Sequence, residues 1–288
     1  KSVDSCRMTL PKSASDALRS LARAHRVTLN TVVQGAWSIL LSRYSREQDV
    51  VYGAVLSGRP ADLPDVESIV GLFVNTLPAR VNVDGDAKLI PWLQALQLDQ
   101  VAMRQYEYSS LLQVRAWSDV PGGQPLFHTA LAFQNWLGDF PSGQIAPRLQ
   151  VSVLDSRYVS DLPLMMYVVV GEALRFDLVY DVERFGRATV DRMLAHCRML
   201  LQAMVADPEQ RVSELPLLTD AERHRILVEW NDTTAEYPPK ARLHDLFEAQ
   251  EARAPARTAV KFGAATLSYA QLEARANQLA HVLRGCGV

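Results

Sequence analysis

The stretch ESIVGLFVNTLPARV, residues Glu67 to Val81, reads as an apolar, strand-like run that carries Asn75 and Thr76 in its middle. A strand that only fills a core has little use for an amide beside a hydroxyl. Either these side chains reach a solvated cleft, or they satisfy backbone groups at the bend before Pro78. Pro78 cannot donate a ladder hydrogen bond, so the strand over Phe73 to Val83 is an edge or carries a bulge.

Upstream, Asp49 to Leu56 is rich in Val and Tyr and predicts a strand that stops at Ser57-Gly58-Arg59-Pro60, where Gly and Pro mark a turn or loop. Ser13 to Arg26 places Ala14, Leu18, Leu21 and Ala22 at helical spacing, with Ser13 and Ser15 as candidate N-caps. Thr28 to Tyr44 follows with Leu29, Val32, Val33, Ala36, Trp37, Leu40 and Leu41, an apolar face too wide for an ordinary surface helix. It predicts packing against a sheet. Downstream, Lys88 to Tyr106 returns to helical period. His128 to Trp136, Leu149 to Leu154, Met165 to Val170 and Ala173 to Tyr180 read as strands, the last two joined through Gly171-Glu172 as a tight hairpin. Thr189 to Val205 predicts a closing helix with Cys197 on its apolar stripe. The sum is a mixed α+β domain in which wide helices cover one face of a sheet.

The character changes over 207–240, where Pro208, Pro216, Pro238 and Pro239 surround one short helical stretch near Asp220 to Trp230. This is a linker with some structure of its own. A new pattern starts over 241–288: a helix near His244 to Glu251, a hairpin over Ala259 to Leu267, and a helix from Ser268 that ends at Gly285 and Gly287. Such a segment, about 48 residues, is too short to build a stable core by itself.

Composition narrows the function. The 288 residues are 48% hydrophobic, enough for a sizeable core, and 30 basic against 32 acidic side chains leave a net charge of -2. No excess of one sign is present to draw the chain to nucleic acid or to an anionic membrane surface, so neither is expected as a partner. The longest apolar run, Leu162 to Val170, is nine residues, less than half of what a membrane-crossing helix needs. The opening KSVDSCRMTLPKS lacks the apolar centre of a signal peptide, which makes a cytoplasmic location the default, and the missing initiator Met points to a truncated start. Cys6, Cys197 and Cys286 are odd in number and far apart, against a disulfide framework and against a zinc site.

Most enzyme signatures are missing. The chain has no GxxxxGK[ST] phosphate loop, no HExxH, no GxSxG elbow and no GxGxxG. The string VGLFVNTLPAR at Val70 to Arg80, preceded by SGRP at Ser57 to Pro60, resembles the condensation domains of nonribosomal peptide synthetases, in which G-x-F-V-N-T is a core motif. RQYEYSSLLQV at Arg104 to Val114 and VRAWSDVPGGQPLFHTALAFQNW at Val114 to Trp136 continue the same pattern in order. LPLLTDAERHRILVEWNDT at Leu215 to Thr233 looks like the linker that follows such a domain, and LSYAQLEARANQLAHVLRGCGV from Leu267 looks like the first core motif of adenylation domains.

The resemblance implies a chloramphenicol-acetyltransferase-like lobe over 1–206, the C-terminal lobe of a condensation domain, then the linker over 207–240 and the incomplete start of an adenylation domain over 241–288. In this family two similar lobes form a V around a tunnel, into which upstream and downstream peptidyl carrier proteins deliver phosphopantetheine-tethered substrates. The second His of an HHxxxDG motif in the N-terminal lobe assists the condensation. None of the six histidines here has a His neighbour or a following xxxDG, so the resemblance places no catalytic residue in this chain, and the motif is expected upstream of Lys1. No cofactor is expected on this fragment; ATP and Mg would belong to the missing remainder of the adenylation domain. Its partners would be the N-terminal lobe, the two carrier proteins and that remainder. The tunnel candidates are Arg59, Asn75, Thr76, Gln134 and Asn135, of which at most one of the pair Gln134 and Asn135 can face the tunnel by the period-two rule. For Asn75 and Thr76 the backbone-satisfying reading stays open beside the cleft-lining one. Arg59 is read as part of a loop closing the tunnel floor or as a simple turn. His128 is read as a surface or structural residue, and Arg115 and Trp117 as braces for the loop before Pro121. Two rivals to a condensing role are a non-catalytic carrier-binding lobe and an epimerisation-type relative, which shares the two-lobed architecture.

Overall fold

The computed structural model of the chain describes residues 2–59, 64–66, 68–135, 143–146, 149–151, 160–235 and 242–287. It divides into two compact units, Lys1–Arg225 and Ile226–Val288. The first opens with β1 (Val3–Thr9), α1 (Lys12–Ala24) and α2 (Leu29–Ser45), followed by β2 (Asp49–Leu56) and β3 (Asn75–Asn82). Helix α3 (Leu89–Met103), a 3-10 turn at Arg104–Tyr106 and the short α4 (Leu111–Trp117) lead to β4 (Thr129–Gln134). A small pair, β5 (Gly143–Ala146) and β6 (Leu149–Val151), precedes the hairpin of β7 (Leu164–Val170) and β8 (Leu174–Asp181), and α5 (Arg187–Ala206) follows. Trp136 and 152–154, which the sequence reading places at strand ends, lie outside the described residues.

Six strands form one sheet in the order β1-β8-β7-β4-β2-β3. Strand β4 runs parallel to both β2 and β7, and the remaining pairs are antiparallel, so the sheet is mixed. β3 occupies one edge, and its register with β2 is continuous from Asn75 opposite Leu56 to Asn82 opposite Asp49. Pro78 is thus accommodated by an edge position and not by a bulge, since its missing N–H breaks no inner ladder. In the β7–β8 hairpin Val170 pairs with Leu174, so three residues, Gly171 to Ala173, make the turn.

Helix α2 shows why its apolar face is so wide. Every residue from Thr31 to Leu40 is buried, because α1, α3 and α5 flank the helix while β2 lies beneath it. Thr28 caps it, accepting from the Thr31 N–H at 3.0 Å. The cap reading for α1 is corrected: Ser13 and Ser15 lie inside the helix, and Pro11 precedes it without a side-chain cap. Ser15 is instead buried, its hydroxyl donating to the Pro11 carbonyl at 3.1 Å and accepting from the Leu174 N–H at 2.9 Å. Lying inside the helix, Ser15 cannot cap it and instead serves the packing of α1 onto β8.

The main core lies between helices and sheet, with Trp37, Ile39 and Leu40 of α2 facing Tyr52, Leu131, Met166, Phe176 and Leu178 of the strands. Strand alternation turns Ala130, Ala132, Met165 and Val179 to the other face, where they form a second, smaller cluster. One polar network is sealed in the main core: Tyr52 donates to Gln34 Oε1 at 2.9 Å, and Gln34 donates to Asn30 at 3.0 Å. Cys197 is buried, which pushes its thiol up to about 12, as befits a core residue and not a reactive one. Among the described residues no helix is long and apolar enough to cross a membrane.

After α5 the chain stays bound to the first unit. Leu89 N–H donates to Gln210 at 3.0 Å, Val212 N–H to Ala87 at 3.0 Å and Ser213 N–H to Gly85 at 2.9 Å, while Val212 and Leu215 are buried. The Arg43 guanidinium donates to the carbonyls of Val212 and Leu215. Helix α6 (Asp220–Leu227) comes next and carries no buried side chain. Its hold is polar: Tyr44 Oη lies 2.9 Å from His196 Nδ1, and His196 Nε2 lies 2.9 Å from Glu222 Oε2. The same Oε2 accepts from the N–H and the hydroxyl of Thr219 at 2.9 and 2.8 Å.

The second unit consists of a 3-10 turn at Glu229–Asn231, α7 (Leu243–Arg253), the hairpin of β9 (Thr258–Phe262) and β10 (Ala265–Ser268), and α8 (Tyr269–Gly285). Ser268 and Gln271 form a capping box at the start of α8. Tyr269 packs on Phe247 with ring centroids 5.5 Å apart. None of its described side chains is fully buried.

Glu222 gives the fold a pH signature. Burial alone would raise its carboxyl, but the hydrogen bonds from Thr219 and His196 outweigh that and hold it at about 2, below its ordinary 4.5. A depressed folded value stabilises the fold above pH 4.5 and loses that contribution as pH falls through 2. The stability gap between the native chain and Glu222→Gln, followed by urea unfolding, will therefore shrink from pH 6 to pH 3. A constant gap would contradict this.

Candidate functional site

The sequence-predicted residues meet at one end of the sheet. Because β2 and β4 are parallel, with Val55 opposite Ala132, their C-terminal ends lie side by side, and Asn75 of β3 sits opposite Leu56 at that same end. Arg59 follows β2, Asn75 and Thr76 begin β3, Gln134 ends β4 and Asn135 lies just past it. All five positions thus cluster where β2 and β4 run out and β3 begins.

Their individual roles divide. The Asn75 amide donates to the carbonyls of Glu107 and Ser109, both at 2.8 Å, and its Oδ1 accepts from the Thr76 N–H at 2.8 Å. It pins the start of β3 to the turn ahead of α4, so every strong contact it makes is to backbone. Thr76 is on the opposite face of the strand, paired with Val55, half-buried, and its hydroxyl has no partner among the described residues. Gln134 shares that face with Ala132 and is half-buried, whereas Asn135 is exposed. Alternation sends Phe133 to the helices and Gln134 away from them, as the period-two argument requires.

Arg59 closes its own loop. Its guanidinium donates to the carbonyl of Val66 and, at 3.1 Å, to that of Ile69, and it stacks over the Phe73 ring at 4.4 Å from the centroid. Beside it, Gly58 has φ of +62°, and a Cβ there would stand 1.8 Å from the Phe73 carbonyl oxygen. Only glycine permits that approach. The SGRP turn and the G-x-F-V-N-T segment are therefore one structural knot: Arg59 grips the carbonyls just before that segment and stacks on its Phe73 ring, and Gly58 meets the Phe73 carbonyl. Pro60, at the end of SGRP, lies outside the described residues.

A groove that the sequence reading missed lies at the opposite end of β2 and β3. It encloses about 700 Å³ between Asp49, Val51, Pro78 and Arg80 on the sheet and Val114, Ser118 and Leu126 on α4 and the segment after it. An Arg80–Asp49 ion pair at 2.6 Å stands at its exposed rim, and the Arg80 guanidinium holds the Asp49 carboxyl below its ordinary value. Phe127 anchors the covering segment: a Cβ on Gly53 would meet its ring at 2.6 Å. The available signal was the S-x-x-Q spacing of Ser110 and Gln113, which form the capping box of α4. Of the suggested braces, Arg115 contributes through its carbonyl, which accepts from the N–H and hydroxyl of Ser118 at 3.2 and 2.9 Å, while Trp117 is largely exposed.

No general base is assembled among these groups. His128 is exposed at the start of β4, and the buried His196 is committed to Tyr44 and Glu222. Among the described residues no three His, Cys, Asp or Glu side chains are placed to hold a metal ion.

A sheet of this order with its helices on one face, closed at the strand ends by the SGRP and G-x-F-V-N-T knot, defines a chloramphenicol-acetyltransferase-like domain. The family model for the condensation domain matches residues 1–227, and the chain belongs to the condensation-domain family of nonribosomal peptide synthetases. It is 42% identical over 284 residues to a linear gramicidin synthase of Brevibacillus parabrevis and 35% identical over 282 residues to bacitracin synthase 3 of Bacillus licheniformis. These matches cover 98% and 97% of this chain but only 6% and 4% of those proteins, so the chain spans a small part of the curated relatives it matches. In fold it is similar to a four-domain nonribosomal peptide synthetase bound to AMP and glycine, with a TM-score of 0.77 at 22% identity, covering 100% of this chain and 23% of that one. The X-domain from teicoplanin biosynthesis is similar over 75% of this chain and 50% of its own, with a TM-score of 0.66 at 21% identity.

Asn75 and Thr76 separate by mutation. Asn75→Ala leaves two carbonyls without their donor and will cost about 1–3 kcal/mol in chemical unfolding. Thr76→Val, isosteric and on the other face, will change stability by less than about 0.5 kcal/mol. Equal losses would refute this division.

Proposed function

We propose that the first unit is the C-terminal, acceptor-side lobe of a condensation domain, that the segment after it is the linker, and that the last 48 residues or so begin an adenylation domain. The observation that carries the reading is the family match over 1–227 together with the knot that builds its G-x-F-V-N-T segment. In the complete synthetase the amine of an acceptor aminoacyl thioester attacks the carbonyl of a donor thioester. A C–N bond forms, the C–S bond breaks, and the amine proton passes on to leave a free thiol on the donor arm. Both substrates arrive on phosphopantetheine arms of carrier proteins, and the HHxxxDG histidine of the N-terminal lobe assists the attack.

The contribution of this chain is positional. Thr76 and Gln134, on the sheet face away from the helices and at the strand ends, are suited to hydrogen-bonding the amides of a pantetheine arm. Arg59 and Asn75 act one step back, by fixing the loop and strand on which that edge is built. Mg and ATP belong, in this reading, to the remainder of the adenylation domain. Partners are then the N-terminal lobe, the upstream and downstream carrier proteins, and that remainder.

A direct test joins an HHxxxDG lobe to this chain in one polypeptide and supplies separately loaded donor and acceptor carrier proteins. Mass spectrometry should find the extended thioester on the acceptor carrier with the two-lobed protein and not with this chain alone. Loaded carriers that give no product with both lobes present would overturn the assignment, and so would product from this chain by itself.

A further inference from the structure

Asp177 of β8 is a carboxylate only 2% exposed on the sheet face turned away from the helices. Its strand neighbours Phe176 and Leu178 belong to the helix-side core, and Val179, two residues on, belongs to the cluster on the other face. The Arg7 Nε–H on β1 donates to Oδ1 of Asp177, and the Arg175 Nε–H donates to Oδ2 at 2.9 Å. A buried carboxylate must be paired, and one guanidinium is enough to neutralise it. Here there are two, so the cluster is one negative charge short of neutrality.

The two arginines are not equivalent. Arg7 stands directly opposite Asp177 in the β1–β8 register, so its bond ties an edge strand to its neighbour. Arg175 is on the same strand as Asp177, two residues before it, so its bond ties no strand to another. Its side chain is 32% exposed, and its Nη groups have no partner among the described residues. A carboxylate that grips the Nε–H fixes the guanidinium plane and leaves the far side of the fork to meet an oxyanion, the geometry for which arginine is suited. Strand register places this fork. Thr9, Arg175, Val169 and Gln134 stand in one row across β1, β8, β7 and β4. The backbones at Arg175 and Gln134 are thus two strand spacings apart, about 10 Å, with the buried Val169 between them. The adjacent row runs from Arg7 through Asp177, Tyr167, Ala132 and Val55 to Thr76.

We propose that Arg175, with its guanidinium held by Asp177, binds one anionic oxygen group, a phosphate or a carboxylate, of a molecule laid across this face. The proposal rests on the reading of Thr76 and Gln134 as positions that hydrogen-bond the amides of a tethered substrate. A phosphopantetheine arm carries a phosphate at one end of its amides, and a tethered acidic residue carries a carboxylate beyond the other end. Either source sets an anion a short span from an amide, as Arg175 is set from Gln134. The second guanidinium, Arg7, lies across the same carboxylate and adds its charge to the same place. The cross-strand tie needs Arg7 alone, which leaves Arg175 available for a ligand.

The test titrates the full chain with two matched pairs of small molecules, phosphopantetheine against pantetheine and N-acetylglutamate against N-acetylglutamine, and follows the Arg175 Nε–H resonance. One anionic member should bind about fivefold more tightly than its neutral counterpart and shift that resonance. A preference for phosphopantetheine assigns the anion to the arm, and a preference for N-acetylglutamate assigns it to the substrate. In Arg175→Gln the preference should vanish while the urea midpoint stays near native, because Arg7 still ties β1 to β8; Arg175→Lys, which keeps the charge without the fork, should restore part of it. The proposal is overturned if neither pair shows a preference in the native chain, if the preference survives Arg175→Gln, or if Arg175→Gln unfolds as readily as Arg7→Gln, which would make Arg175 a clamp of the fold. The native titration decides even where a variant does not fold. Since it uses neither an HHxxxDG lobe nor carrier proteins, a negative result here leaves the condensation assay untouched, and a failed condensation assay leaves this titration intact.

Discussion

The close approach of Gly58 to the Phe73 carbonyl is the constraint on which the β3 edge of the sheet depends. Strand β2 must end, the chain must travel through a loop of some eighteen residues, and β3 must re-enter in register with Asn75 opposite Leu56. Long loops leave register loosely specified unless something fixes the point of return. Here the left-handed Gly58 lets two backbones touch, and Arg59 grips the returning segment through two carbonyls and the Phe73 ring. Asn75 then secures the other side by holding the carbonyls of Glu107 and Ser109. With this edge set, Thr76 and Gln134 fall on the same sheet face at the same end.

The two faces of the sheet have opposite characters. On one face large side chains from four helices interdigitate with the strands around α2. On the other, small residues dominate near the functional end, with Ala130 and Ala132 on β4 and Gly53 on β2. Phe127 packs tightly onto Gly53, holding the segment that walls the 700 Å³ groove. A helical layer thus backs one face, while Ala130 and Ala132 on the other are themselves buried. Binding residues held on strands of such a scaffold lose little precision to local motion.

Much of this was legible because burial leaves a periodic trace. Asp49 to Leu56 matches β2 at both ends, and the width of the α2 apolar stripe correctly announced a helix surrounded on several sides. β1 escaped notice because an edge strand that carries Asp4 and Ser5 before Cys6 and Arg7 between Cys6 and Met8 has too few apolar residues to stand out, and its pairing with β8 is a contact across the whole domain. α4 escaped for a related reason: it buries no side chain, so its apolar residues mark a surface and not a core. The serines at the start of α1 looked like caps because local propensity favours that reading, yet Ser15 answers to Leu174, which is distant in sequence. The family resemblance singled out Asn75 and Thr76 together, but the distinction between Asn75 as a backbone clamp and Thr76 on the opposite face needed coordinates. The Glu222 to His196 contact joins residues whose own neighbourhoods say nothing of each other.

The central claim is that the SGRP and G-x-F-V-N-T segments act as one knot that sets the β3 edge of the sheet. The most direct measurement is amide exchange along β3 in Gly58→Ala, compared with Gly122→Ala, where an added Cβ meets nothing within 4 Å. The account predicts that Gly58→Ala strips protection from the Asn75 to Ala79 end of β3 while Gly122→Ala leaves it intact. Native protection of β3 in Gly58→Ala would show that the edge holds without the knot and would contradict the account.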